Sequence, residues 1–382
     1  MAQTFTFKTN VKIPIERVES FILDLPTIRP HQLSMTTMQK QTLVIVRIYC
    51  ADGIVGLGEA TTIGGLAYGE ESPEGIKVTL DAYLGPALVG GEASNLNGAL
   101  VELSKIAKGN RLAKSAVETA LLDAQAKRLN ISVATLLGGA VVDKLPVLWT
   151  LASGNTAQDI EEAESLLAEN RHKMFKLKIG SKEPFVDIAH VAAIKKALGS
   201  RAKVTVDVNQ AWSESIATTG IAALQEAGVD LIEQPLSKEN FEGLARLRQK
   251  FKVPLMADES VATAKDALSL AHLGAADVFA LKIAKSGGPR EVLKIASIGE
   301  AAGIALYGGT LLEGPIGTIA SAHAFVTLKN LEWGTELFGP LLLKDELIKE
   351  PLQYKDGYLH LPTGPGLGVE LDLDKVDRYQ RS

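Results

Sequence analysis

Cysteine is nearly absent from this 382-residue chain. Cys50 stands alone, which excludes an intrachain disulfide and a cysteine metal cage and favours a reducing, cytosolic compartment. Basic excess is also missing: 40 Lys and Arg face 45 Asp and Glu, a formal net charge of −5. The chain therefore has no general attraction for nucleic acid or an anionic membrane, and an anionic substrate has to be met by local cations. The six histidines do not cluster with metal-ligand spacing. The most apolar long segment, residues 303–325, is interrupted by Glu313, His323 and several glycines, so no membrane span is expected. The opening stretch MAQTFTFKTNVK has no apolar core of signal-peptide length. No low-complexity segment or charge block marks a linker or tail. What remains is 46% apolar residues over a length that accommodates a full barrel and one further domain.

Between residues 174 and 283 one unit recurs: a short β-branched run, a charged residue where the run ends, then an amphipathic helical segment. MFKLKIG carries Lys176 and Lys178, KVTVDVNQ carries Asp207 and Asn209, DLIEQP carries Glu233, VPLMADES carries Asp258, and DVFALKIA carries Lys282. From Asp207 the spacings to Glu233, Asp258 and Lys282 are 26, 25 and 24 positions in turn, about one strand plus one crossover helix each. Side chains two apart on a strand share a face. Lys176 and Lys178 therefore point one way with Leu177 and Ile179 opposite, and Val204, Val206 and Val208 oppose Asp207 and Asn209. One face packs under helices while the other delivers charge to a common centre, the pattern of a parallel α/β barrel with its site at the strand C-termini.

Ahead of the repeat, residues 16–25 and 42–60 read as strands, with Asp52-Gly53 as a hairpin turn. PTIRPHQLSMTTMQ, polar and proline-flanked, reads as a long loop. Ser72 and Pro73 read as an N-cap and first helical residue, and helical patterns follow over residues 73–84, 95–107 and 111–129. Strands followed by a block of helices make residues 1–140 an α+β domain. The alternation then runs from residues 145–154 through strands near 174, 203, 230, 254 and 276 to residues 303–309 and 330–337. A helix over about 315–327 separates the last two, and eight strands close a barrel over residues 141–337. Residues 338–382 are expected to pack back on the first domain.

Asp207, Glu233 and Asp258, at three successive strand ends, place three carboxylates around one point. Their mutual repulsion and burial are resolved by a hard divalent cation, for which oxygen ligands favour Mg²⁺ or Mn²⁺, or by ion pairs with the barrel lysines. The cation is preferred because strand-end charges in barrels usually serve the site. Lys176 and Lys178 on one side and Lys282 on the other flank it. Lysines beside other cations lose some preference for the proton and exchange it near neutral pH. A lone lysine would rather keep its amine in solvent; two on one face with a third opposite do not fit that reading. The parts describe a site that holds a carboxylate and moves a proton at the adjacent carbon.

The ordered motifs DLPTIRPH, EATTIGGLAYGEESPE, LLDAQAKRL, WTLASG, FKLKIG, DVNQAW, LIEQP, LMADES, FALKIAKSGGP, LYGGTLLEG and WGTELFGPLLL give the chain its identity. It resembles the muconate-lactonizing subgroup of the enolase superfamily over nearly its whole length. The resemblance implies a modified TIM-type (β/α)7β barrel with an N-terminal α+β capping domain. It also implies metal ligands Asp207, Glu233 and Asp258 holding Mn²⁺ or Mg²⁺, with Lys178 as general acid and base. Lys176 matches a neighbour that meets the substrate carboxylate, Lys282 the lysine on the opposite face, Glu336 a late acidic residue and Asn209 an amide beside the first ligand. Arg29, His31, Ile63 and Tyr68 match the capping region that sets specificity, although Arg29 and His31 read equally well as solvated loop residues. The implied reaction is the reversible cycloisomerisation of cis,cis-muconate, a small dicarboxylate, to muconolactone in catechol breakdown. A homo-oligomer, an octamer in many members, is implied too.

The same lysines and metal serve 1,1-proton transfer and dehydration, so an amino-acid or dipeptide epimerase and an o-succinylbenzoate synthase stay open, as does a chloromuconate enzyme. A non-catalytic dicarboxylate-binding barrel is the reading from another class; it leaves a proton donor on a strand unexplained. The glycine pairs of LYGGT and KSGGP carry no P-loop or dinucleotide fingerprint.

Overall fold

The computed structural model describes residues 12–33 and 35–381. The opening stretch read above lies outside them apart from Lys12. Three antiparallel strands come first: β1 (Ile15–Gln32), β2 (Thr37–Cys50) and β3 (Val55–Thr61), in the order β1-β2-β3. PTIRPHQ is therefore strand, not loop. Pro26 and Pro30 have no N–H to give, but β1 is an outer strand, and its pairing with β2 skips between Pro26 and His31 before resuming. Edge strands and bulges are where a sheet tolerates proline.

Helices follow: α1 (Pro73–Thr79), α2 (Gly85–Leu88), α3 (Leu96–Ile106), α4 (Arg111–Leu129) and α5 (Val133–Leu136). The Ser72 side chain accepts from the Gly75 amide with Pro73 inside it, while the pattern over 73–84 divides at a π turn, Leu80–Leu84. Helix α4 buries Ala113, Ala116, Ala120 and Ala124 against β3. A Cβ on Gly56 or Gly58 would stand 2.0 Å from the carbonyl oxygen of Ala120 or Ala116. Those glycines let a helix lie directly on a strand.

The alternating part runs β4 (Lys144–Pro146), β5 (Trp149–Leu151), α6 (Thr156–Ala168), β6 (Met174–Lys178), α7 (Pro184–Leu198), β7 (Lys203–Asp207), α8 (Glu214–Glu226), β8 (Leu231–Glu233), α9 (Phe241–Lys250), β9 (Leu255–Ala257), α10 (Ala264–Leu273), β10 (Val278–Leu281), α11 (Ile283–Ser286), α12 (Pro289–Ala302), β11 (Ala305–Gly308) and α13 (Pro315–Phe325). Strands β5 to β11 form one parallel, curled sheet in chain order. Residues 330–337 do not form an eighth strand. Instead Thr335 alone bridges both edges, to Val147 and to Gly308. Its amide donates to Pro146 O (2.9 Å), its carbonyl accepts from Leu148 N (2.8 Å), and Glu336 N donates to Gly308 O (2.7 Å). The ring is closed by this short contact, and Gly334, at φ +66°, turns the chain immediately before Thr335.

Every residue of α13 is buried, so the long apolar segment is interior; among the described residues no helix is long and apolar enough to cross a membrane. The last stretch divides. Strands β12 (Tyr354–Lys355) and β13 (Tyr358–His360) pair with β4 in the order β12-β13-β4, which takes β4 out of the barrel sheet. Helix α14 (Leu373–Tyr379) leads to Arg381, whose guanidinium meets Asp24 of β1 at 2.8 Å.

Candidate active site

Parallel register aligns the charges. Lys178 of β6 pairs with Asp207 of β7, and Asp207 with Glu233 of β8. Glu233 pairs with Met256 of β9, two positions before Asp258. Asp207, Glu233 and Asp258 are fully buried, and each offers a carboxylate oxygen within 4.8 Å of the others. The strand ends thus deliver to one point what the 26- and 25-residue spacings placed in phase.

Each acid has an ammonium against it. Lys178 Nζ lies 2.5 Å from Asp207 Oδ2, Lys176 Nζ 2.6 Å from Glu233 Oε2, and Lys282 Nζ 2.5 Å from Asp258 Oδ2. Both resolutions considered for three converging carboxylates therefore meet in the same residues. The trio nonetheless fits a divalent cation: Glu233 Oε1 is buried with no hydrogen-bond partner among the described residues, and an oxygen of that kind needs a positive charge. Burial, then the charges of Asp207 and Asp258, push the Glu233 carboxyl up to about 8, against the pull of Lys176.

Lys282 and Lys285 share the Asp258 carboxylate and Lys176 acts on Lys178, but these neighbouring cations do not bring Lys178 or Lys282 toward neutral pH as the sequence suggested. Burial works against the Lys178 ammonium, but Asp207 and Glu336 outweigh it and raise its pKa. Lys282 is raised further, burial being overcome by Asp258. Carboxylates in direct contact decide the outcome.

Lys176 is fully buried between Glu233 and Glu336, the latter at 2.8 Å, and stays behind the cavity rather than lining it. Glu336 also accepts from the hydroxyls of Tyr307 (3.1 Å) and Thr150 (3.3 Å). Asn209 donates its backbone N–H to Asp207 Oδ1 (2.9 Å) and its side-chain amide to Glu259 (3.2 Å).

A narrow cavity, with room for about 10 Å³, lies over these groups. The barrel side supplies Lys178, Asn209, Lys282 and Glu336, and the capping side His31, Ile63 and Tyr68. The Tyr68 hydroxyl is 3.1 Å from Lys282 Nζ and 3.2 Å from Asp258 Oδ2. His31 is 1% exposed, neither ring nitrogen has a hydrogen-bond partner among the described residues, and burial with nearby cations pushes its pKa down to about 3. Arg29 is not brought to the cavity. Its guanidinium pairs with Glu162 of α6 at 3.0 Å and lies over the Trp149 ring.

Sequence reasoning passed over four residues. Lys285 reaches Asp258 Oδ1 at 2.6 Å; it lies one helical turn after Lys282, which is a spacing that could have been read. Gln234 and Glu259 directly follow predicted ligands, and Tyr307 precedes the glycine pair. That pair is a packing feature rather than a phosphate cradle: a Cβ on Gly309 would stand 2.8 Å from Lys282 Cε, and one on Gly308 2.7 Å from the Phe325 ring.

Residues 17–138 match the mandelate racemase / muconate lactonizing enzyme N-terminal domain, and residues 158–376 the enolase C-terminal domain-like family. Muconate cycloisomerase 1 of Pseudomonas putida is 60% identical over 96% of this chain and 98% of its own length. A chloromuconate cycloisomerase of Pseudomonas sp. (strain P51) is 47% identical over 96% of this chain and 99% of its own. The crystal structure of muconate lactonizing enzyme from Pseudomonas fluorescens complexed with muconolactone superposes with a TM-score of 0.96 at 57% identity, covering 97% of this chain and 100% of that one.

Proposed function

This chain belongs to the mandelate racemase / muconate lactonizing enzyme family, and on that premise we propose that it cycloisomerises cis,cis-muconate to muconolactone with Lys178 as the proton donor. The observation that carries the assignment is the aligned row of Lys178, Asp207 and Glu233, with Lys282 lining the same cavity as Lys178.

One carboxylate oxygen of the substrate attacks across its diene, forming a C–O bond, and the displaced electron pair moves toward the second carboxylate. Lys178 then gives a proton from Nζ to the carbon beside that carboxylate, and takes it back in the reverse direction. A lysine held protonated by Asp207 and Glu336 is the form the forward step needs. Lys282, with Tyr68 on it, sets a second positive charge on the opposite face. Glu336 fixes Lys176 against Glu233, while Asn209 and the capping residues His31, Ile63 and Tyr68 shape the room for the diacid. Arg29 contributes by holding β1 to α6 through Glu162. Asp207, Glu233 and Asp258 would hold Mn²⁺, or Mg²⁺ in its place, which supplies charge neutralisation to the substrate carboxylate that becomes an enolate.

The test is loss of muconate ultraviolet absorbance by purified protein in Mn²⁺, beside Lys178→Ala. Rapid loss that vanishes in the variant is expected. No loss in the intact, metal-loaded protein would reject muconate as substrate. The 47% identical chloromuconate relative supports a second reading, chloromuconate turnover, for which chloride release is the readout. The proposal extends to a cytoplasmic homo-oligomer, checked by light scattering of the purified chain.

A further inference from the structure

We infer that Lys285 is the positioning residue that locks Asp258 in place and thereby sets the affinity of the acidic trio for a divalent cation. The inference rests on the reading of the trio as a metal site and assigns a role to a lysine that this reading leaves unused. Lys282 caps the start of α11 and Lys285 lies within it, so two ammonium groups reach Asp258 from a single turn. They divide its carboxylate, Lys282 taking Oδ2 at 2.5 Å and Lys285 taking Oδ1 at 2.6 Å.

Their remaining partners differ. Lys285 Nζ also meets the Asp258 carbonyl oxygen at 2.5 Å and the Ala280 carbonyl oxygen at 2.9 Å. An ammonium has three N–H donors, and here all three end on fixed protein acceptors. None is left for a substrate, and Lys285 borders the outer cleft beside Thr62 and Glu259 rather than the reaction cavity. Among the described residues Lys282 meets only Asp258 and Tyr68, and it lines the reaction cavity, so it keeps a donor for chemistry.

Holding both the carbonyl and Oδ1 of one residue fixes its backbone and its side-chain torsion together. Gln234 completes the clamp by accepting the Asp258 N–H at 2.9 Å. Asp258 is thus tied at three atoms, and Oδ2 is left facing the cavity-lining Lys282 and Tyr68. Charge alone argues the opposite effect, because a buried ammonium repels an incoming cation. Orientation of the Asp258 carboxylate is the larger influence.

The experiment is Mn²⁺ titration of the full chain, reading free Mn²⁺ by electron paramagnetic resonance, for the native protein, Lys285→Met, Lys285→Gln and Asp258→Asn. Lys285→Met keeps the stem and removes every donor; a roughly 10- to 100-fold weaker Kd is expected, the range for partners that orient a ligand. Lys285→Gln retains two donors and should lose less. Asp258→Asn tests the underlying reading: unchanged Mn²⁺ binding there would reject the metal site itself. Strong loss in Asp258→Asn with equal or tighter binding in Lys285→Met would leave the metal site standing and overturn the role of Lys285. Should Lys285→Met not fold, Lys285→Gln decides, and failure of both to fold would overturn the inference by making Lys285 a stability element.

Discussion

Gln234 Oε1 accepts the backbone N–H of Asp258 at 2.9 Å and that of Ser260 at 3.2 Å. One side chain from the end of β8 thereby sets the path of the chain beyond β9. Gln234 itself sits at φ +37°, a left-handed conformation that non-glycine residues adopt where the surroundings compel it. Gln234→Ala leaves two buried donors unpaired, at about 1–3 kcal/mol each. Chemical denaturation should show a lower midpoint, and Mn²⁺ retention should fall with it. Unchanged values for both would show that the amide does not order this segment.

Tyr68→Phe removes a hydroxyl placed between Lys282 and Asp258 and keeps the ring beneath the lysine, 5.1 Å from its centroid. We expect kcat to fall by roughly 10-fold, a hydrogen bond's worth of about 1.5 kcal/mol, with the melting temperature unaltered. Steady-state kinetics with muconate decide it.

Gly58→Ala forces a methyl onto the Ala116 carbonyl 2.0 Å away. Backbone cannot yield as a flexible side chain does, so destabilisation of about 3 kcal/mol or more is expected in urea unfolding. Gly69→Ala, where a Cβ meets nothing within 4 Å, is the control and should be near neutral.

Glu118 of α4 accepts the Arg290 N–H at the start of α12 at 2.9 Å, and burial pushes its pKa from 4.5 up to about 7. The folded state holds this proton more tightly than the unfolded chain. Its contribution is present below pH 4.5 and is lost as pH rises through about 7. Glu118→Gln keeps an acceptor and carries no charge, so it should stabilise the protein at about pH 8, by up to about 3 kcal/mol at roughly 1.4 kcal/mol per unit. Thermal melts across pH would contradict this if the variant tracked the native protein.

His323 runs the other way. Its Nδ1 accepts from Ala134 N at 3.2 Å and its Nε2 donates to Leu367 O at 3.1 Å. A proton on Nδ1 would face an N–H, and burial holds the imidazole down from 6.5 to about 4. The unfolded chain binds the proton first, so stability should fall as pH drops from about 6.5 toward 4. His323→Gln should flatten that part of the profile.

The positions of Lys176, Lys178, Asp207, Glu233, Asp258 and Lys282 were legible because strand periodicity and crossover length are local properties, and a charge at the end of a β-branched run has few other places to go. Helix starts were legible for the same reason: Ser72 caps α1 through an amide three residues on. The eighth stave was misread. NLEWGTEL has the composition of a strand, but it makes bridge pairing only at Thr335, to Val147 and Gly308. PTIRPHQ was misread in the opposite direction, since nothing in the stretch shows that its partner strand lies on one side alone.

Sequence by itself determined which chemical groups this protein brings to its strand ends and the order in which the barrel presents them. Tertiary structure decided what each group faces. Lys178 meets Asp207 rather than another cation, Arg29 turns to Glu162 across 133 positions of chain, and Lys285 closes on Asp258 from behind. Proton affinity and hydrogen-bond partnership depend on neighbours a few ångströms away in space, and those neighbours are set by packing between segments far apart in the chain.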